Sequence, residues 1–100
     1  MARKSEDYLE FEWDEGNANK NWIKHKVNVK ESEEVFIDPK AIISEDPKHS
    51  KVEVRWLLLG KTKEGRSLTV VFTKRGNKIR VISARPQGRK ERRLYEEKES

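Results

Sequence analysis

The side chains best suited to chemistry lie in two stretches, HSKVEVR at residues 49–55 and TKRGNKIRVISAR at residues 73–85. Read as strands, both alternate with period two, so every second residue shares a face. Glu53 and Arg55 then fall on one face with Thr73 and Arg75, and His49 and Ser50 lie just ahead of the first strand. The last strand adds either Arg80 or the Ser83/Arg85 pair, because a bulge or twist near its ends changes the face that Arg85 reaches. Such a cluster has the parts for metal-free RNA cleavage. A ribose 2′-hydroxyl attacks its own neighbouring phosphate, which requires a base at the hydroxyl, an acid at the leaving oxygen and cations around the phosphorane. Arginine suits the last role, because its planar fork meets two phosphate oxygens and keeps its charge. A histidine or a tuned carboxylate suits the first.

Other chemistries fit less well. Asp46, His49 and Ser50 are too close in sequence for a hydrolase triad, and no second cluster joins them as metal ligands. The chain has no cysteine, hence no thiol nucleophile and no Cys-based metal site. No metal and no other cofactor is implied. Taken singly, Glu53 beside an arginine is equally an ordinary ion pair of small worth, and His49 is equally a loop histidine bonded to backbone. As a group, the arginines favour phosphate binding.

The chain that must position these groups has 100 residues, 33% of them hydrophobic and 41% charged. That is one domain with a small core and marginal stability. Residues 1–8 read as a frayed lead-in to a domain over residues 9–98. The net charge of +5 is concentrated: residues 74–93 hold nine basic side chains and one acidic, whereas residues 1–20 and 30–46 are net acidic. A basic segment of this kind attracts phosphates, an acidic protein or anionic lipid. No apolar run is long enough to cross a bilayer, so a soluble cytoplasmic protein is the expectation.

Pattern and capping signals assign the elements. LEFEW (9–13) alternates as a strand, and Asp14 caps a helix running to about Lys26. Asn28, with Glu31 three residues on, opens a second helix that Asp38-Pro39 ends. Strands follow at 41–44, 52–59, 67–75 and 78–84, the last two joined through Gly76-Asn77. Pro86-Gln87-Gly88 then breaks the pattern before a charged helix at 89–98, docked by Leu94 and Tyr95. The expected fold is α+β: an antiparallel meander sheet, two N-terminal helices packed on one face and a basic C-terminal helix. Trp13, Trp22 and Trp56 each lie on an apolar face and read as core.

FEWD (11–14), Asn21, KH (24–25), VF (35–36), DP (38–39), HS (49–50) with ExR (53–55), LG (59–60), GR (65–66), TxRG (73–76) and IRVISAR (79–85), followed by ERRxYE (91–96), occur in an order that resembles the BrnT family of bacterial toxins. The likeness runs from about Phe11 to Glu96. It implies a RelE/ParE-like fold and a ribonuclease that blocks protein synthesis. It also implies neutralisation by a BrnA-like ribbon-helix-helix antitoxin, through which alone operator DNA is contacted. Carried over, the polar signature falls on His49, Glu53, Arg55, Thr73, Arg75, Arg80, Ser83 and Arg85, with Arg92, Arg93 and Tyr95 from the last helix. Lys26 stands where the family usually has Gly, which bears on how the first helix ends. Lys74 stands where an acid is common, and Pro86-Gln87-Gly88 bears on the angle of the last helix.

Combined, these readings predict an endoribonuclease acting on single-stranded RNA. Arg55, Arg75, Arg80 and Arg85 hold the phosphate, Glu53 or His49 is the base, and Tyr95 stacks or transfers a proton. Thr73, Ser83, Arg89, Arg92 and Arg93 bind substrate. The rival reading is a ParE-like toxin that binds a protein such as DNA gyrase and cuts nothing.

Overall fold

The computed structural model describes residues 9–49 and 51–99, with His49 and Glu99 as backbone alone; the proposed lead-in at residues 1–8 lies outside the described residues. Asp14 stops the first strand early. Its carboxylate accepts from the Asn17 N–H at 3.1 Å and Asn17 Oδ1 accepts from the Asp14 N–H at 2.8 Å, a reciprocal capping box. The strand is therefore only Glu10–Phe11 (β1), and helix α1 spans Glu15–His25. A second box, Asn28 with Glu31, opens α2 at Val29–Glu34, as the spacing predicted. A 3-10 turn at Val35–Ile37 carries the chain to Asp38, which is extended ahead of Pro39.

Between the helices Lys26 takes φ +56, ψ +39, the left-handed conformation that glycine adopts without cost. It is the one non-glycine with positive φ among the described residues. Arg66 braces this junction, donating to the carbonyls of His25 and Lys26 and to both oxygens of Glu31. Lys26→Gly is expected to raise the unfolding free energy by about 1 kcal/mol in a denaturant titration, since it removes a Cβ clash.

The sheet has five strands in the order β1-β5-β4-β3-β2, with β2 at Ile42–Glu45, β3 at Trp56–Lys61, β4 at Ser67–Arg75 and β5 at Lys78–Pro86. The meander β2 to β5 is antiparallel as expected. The sheet as a whole is mixed, because β1 pairs in parallel with β5, Phe11 opposite Ile79. That corrects the expectation of a purely antiparallel sheet. Gly76 supplies φ +62 in the two-residue turn between β4 and β5. The core is Leu58, Leu68, Val70, Phe72, Ile79, Val81 and Ala84 of the sheet against Val27 and Val35. Phe11, Phe36 and Phe72 stack edge to face around it. A Cβ on Gly60 would lie 3.1 Å from the Val35 carbonyl oxygen and Cβ, a tight contact that would press the 3-10 turn outward by a few tenths of an ångström.

Two further expectations fail. The strand predicted from Val52 begins only at Trp56. The described residues between Asp46 and Arg55 form a 3-10 turn at Pro47–His49 and bends from Lys51 instead, with the Asp46 N–H donating to Arg55 O at 2.8 Å, and Val52 is 99% exposed despite its apolar alternation. Trp22, read as core, is 48% exposed. The buried face of α1 is Asn17 and Asn21, because the helix packs on the edge of β5 that β1 is too short to cover. Asn17 Nδ2 donates to Val81 O and Asn21 Oδ1 accepts from the Ala84 N–H, so backbone polar groups there are satisfied by carboxamides.

Helix α3, Arg89–Glu99, docks through Tyr95, whereas Leu94 points to solvent. The chain reaches it through Gln87, whose Nε2 donates to the carbonyls of Gly60 and Leu68 beneath the helix start. None of the helices formed by the described residues is long and apolar enough to cross a membrane.

Candidate active site

Which face each arginine reaches is decided by a bulge in β5. Val71 pairs with Ser83 but Phe72 pairs with Val81, leaving Ile82 as an extra residue. Directly opposed residues share a face. Arg80 therefore lies beside Thr73, Ser83 beside Val71 and Arg85 beside Thr69, all on the side that carries Arg75. Without the extra residue, Arg80 and the Ser83/Arg85 pair would face opposite ways; with it, both alternatives are met at once.

At one end of this face two guanidiniums converge on one carboxylate. Glu12 Oε2 lies 3.6 Å from Arg80 Nη1 and 3.8 Å from Arg75 Nη1. Glu53 Oε1 lies 3.8 Å from Arg75 Nε on the other side. Arg80 Nη2 is 3.0 Å from Asp14 Oδ2, while its Nη1 is buried and makes no hydrogen bond. The Asn17 N–H, with help from Arg80, holds the Asp14 carboxyl below its usual range against the opposing effect of burial. Glu53 reaches Arg75 although it is not in a strand. The Thr73 hydroxyl, buried, donates to Val54 O at 2.7 Å and ties the loop across the end of β4. Arg55 lines a hollow of about 300 Å³ with Lys48, Lys51, Val52 and Glu53. The side chain of His49 lies outside the described residues.

The other predicted residues sit apart from this cluster. Arg85 is four positions along β4 from Arg80, from Thr73 to Thr69, roughly 13 Å. It is clamped by Glu91, Nη1 to Oε1 and Nη2 to Oε2 both 2.8 Å. Glu91 also accepts from the Thr69 hydroxyl and the Gly88 N–H at 2.8 Å each. Arg85 first, then these donors, outweigh burial and hold the Glu91 carboxyl down to about 2 from 4.5. Its folded value is depressed, so its contribution to stability is present above 4.5 and is lost as pH falls toward 2. Unfolding measured between about pH 5 and pH 2 is expected to show a steeper loss of stability for the wild type than for Glu91→Gln. Tyr95 is buried, and its hydroxyl donates to Asp38 Oδ2 at 2.6 Å beneath the Lys61 ammonium. Ser83 is half-buried, and Arg89, Arg92 and Arg93 are exposed on α3. Arg75, Arg80 and Arg85 share a face, but among the described residues only Arg75 and Arg80 of these converge on one carboxylate.

Sequence reasoning missed Glu12 and Asp14. The signal was available, since both fall in or beside the FEWD stretch, with Glu12 on the polar side of its alternation. Among the described residues, no three His, Cys, Asp or Glu side chains gather as a metal site.

A family model described as "Ribonuclease toxin, BrnT, of type II toxin-antitoxin system" matches residues 13–91. The chain belongs to the BrnT family. The family is one of ribonuclease toxins that act in toxin–antitoxin pairs, so an antitoxin partner comes with membership. No curated protein matches the chain. The BrnT match includes Asp14, Glu53, Arg75, Arg80, Arg85 and Glu91, and it ends before Arg92, Arg93 and Tyr95.

Proposed function

We propose that this BrnT protein is a metal-independent endoribonuclease that cleaves single-stranded RNA by 2′-hydroxyl attack and thereby inhibits translation. The observation that carries the reading is the convergence of Arg75 and Arg80, from neighbouring strands, on one carboxylate with Glu53 alongside. Arg80 Nη1 lacks a hydrogen bond, and a phosphate oxygen that displaces Glu12 supplies one. In the reaction, the Glu53 carboxylate takes the 2′-hydroxyl proton, the 2′-oxygen bonds to phosphorus, and the bond to the 5′-oxygen breaks, the departing oxygen taking a proton from water to give the 5′-hydroxyl. The two guanidiniums stabilise the charge on the phosphorane. Arg55 steers the strand toward them. RNA is favoured over duplex DNA because the chemistry uses the 2′-hydroxyl and unpaired bases can splay across a sheet.

The partner in this reading is a BrnA-like ribbon-helix-helix protein whose acidic surface covers the exposed cations of α3, and the pair works in the cytoplasm on a RelE/ParE-like scaffold. Incubating the purified protein with RNA in EDTA is expected to yield 2′,3′-cyclic phosphate and 5′-hydroxyl ends. A requirement for Mg²⁺ would overturn the mechanism. Full toxicity of Glu53→Gln, together with its loss on charge reversal at Arg89, Arg92 and Arg93, would favour protein binding over cleavage.

A further inference from the structure

Helix α1 and strand β5 run side by side in the same direction: Asn17 meets Val81 and Asn21 meets Ala84. That register sets the cations of the two elements along one seam. Lys20 and Arg80 line a shared hollow of about 190 Å³ with Gly16 and Ile82. Lys24 is one turn beyond Lys20 on the same side of the helix, about 6 Å along the axis. The seam then arrives at Arg85. His25 is depressed below its usual pKa by burial and then by the charges of Lys24, Arg85 and Lys20, which places all three within electrostatic reach of one imidazole.

The two elements differ in how their charge is met. Arg80 and Arg85 each face carboxylates of the same domain. Lys20 and Lys24 are exposed, and among the described residues neither is in an ion pair. Two uncompensated lysines at helical spacing, in line with the Arg75/Arg80 pair and flanking a groove, suit a polyanion with a repeating charge better than a single ligand.

We propose that the α1–β5 seam is the path of the RNA backbone away from the cleavage site, with Lys20 and Lys24 binding phosphates that flank the scissile one. This rests on the ribonuclease reading above and extends it from one phosphate to a strand. Lys20 and Lys24 position substrate and take no part in bond breaking. A dinucleotide whose one phosphate is the scissile one gains nothing from the seam, whereas a longer strand does.

The test uses the full chain, with a Lys20→Ala/Lys24→Ala double variant and a Lys30→Ala/Lys63→Ala control that removes the same charge from exposed positions on α2 and the β3–β4 turn. For a 20-mer RNA the seam variant is expected to raise KM several-fold at unchanged kcat, and to leave kcat/KM for dinucleotides as in the wild type. Binding of a non-cleavable 20-mer with 2′-deoxy sugars is expected to lose about 1.4 from the slope of log affinity against log salt, two contacts' worth for a single strand. The control is expected to change neither reading. An unaltered salt slope, equal losses for dinucleotide and 20-mer, or an equal effect of the control would overturn the proposal. Should the wild type cleave nothing, the ribonuclease reading falls on its own. The slope measured with the non-cleavable strand then still decides the seam.

Discussion

Arg80→Ala is expected to lower RNA cleavage by about 10²–10³-fold, the loss typical of removing one preorganised donor from a developing anion. Of the two arginines in the cluster, Arg80 is held the more rigidly. Its side chain is 16% exposed, against 49% for Arg75, and it is braced by Asp14 at 3.0 Å. Removing it also takes the cation from Asp14 and leaves Glu12 with Arg75 alone beside the incoming phosphate, so repulsion adds to the lost attraction. The fold has less at stake, because Asp14 keeps its bond to the Asn17 N–H and α1 keeps its cap. Arg85→Ala should behave in the opposite way. It strips the bidentate partner from Glu91 and loosens the start of α3, so stability falls while cleavage per folded molecule changes far less. Single-turnover rates and denaturation curves for the two variants separate these outcomes. Equal losses of rate would mean that the phosphate is held along the whole face and that the site drawn here is too small.

Glu53→Gln is expected to reduce kcat by about 10²–10⁴-fold with little change in KM. The substitution keeps size and hydrogen bonding but removes the proton acceptor, and it leaves Arg75 in place to bind RNA. Glu53 sits in a bend outside the sheet, where the loop can move the carboxylate toward a ribose; its backbone is anchored through its neighbour Val54, whose carbonyl takes the Thr73 hydroxyl, and its carboxylate faces Arg75. Thr73→Val should accordingly reproduce part of the loss without touching any reacting atom. If Glu53→Gln stays active while Glu12→Gln does not, the base is the carboxylate already lying between the two arginines. The catalytic assignment would then move across the site by one residue.

Local chemistry was legible in the residues themselves. The first two helix starts, the stop at Asp38-Pro39 of the 3-10 turn that follows the second helix, and the Gly76-Asn77 turn follow from hydrogen bonds or steric limits that span three residues or fewer. Such signals survive whatever the rest of the chain does. The basic character of the β4–β5 hairpin was equally plain, as was the motif order that resembles the BrnT family, to which the family match over residues 13–91 assigns the chain.

Alternation misled where the partner strand was missing. Val52 and Val54 have the pattern of a strand, yet the pairing of β2 with β3 ends at Glu45 opposite Trp56, and both valines are left in solvent. Trp22 follows helical periodicity, yet α1 faces a strand edge that needs carboxamides rather than an indole. Periodicity states which residues lie together on an element. It does not state what that element meets.

By itself, then, the order of residues determined the caps, the turns, the family and the supply of arginines. Only the tertiary structure decided which arginines act together. One extra residue at Ile82 turns Arg80, Ser83 and Arg85 to a common side, the parallel pairing of β1 brings Glu12 between Arg75 and Arg80, and the return of α3 gives Arg85 to Glu91 and Tyr95 to Asp38. Contacts such as Glu12 with Arg80 and Asp38 with Tyr95 join residues more than fifty positions apart. Their formation depends on strand register and the landing point of a helix, which are set by the packing of the whole core and by no neighbouring residue.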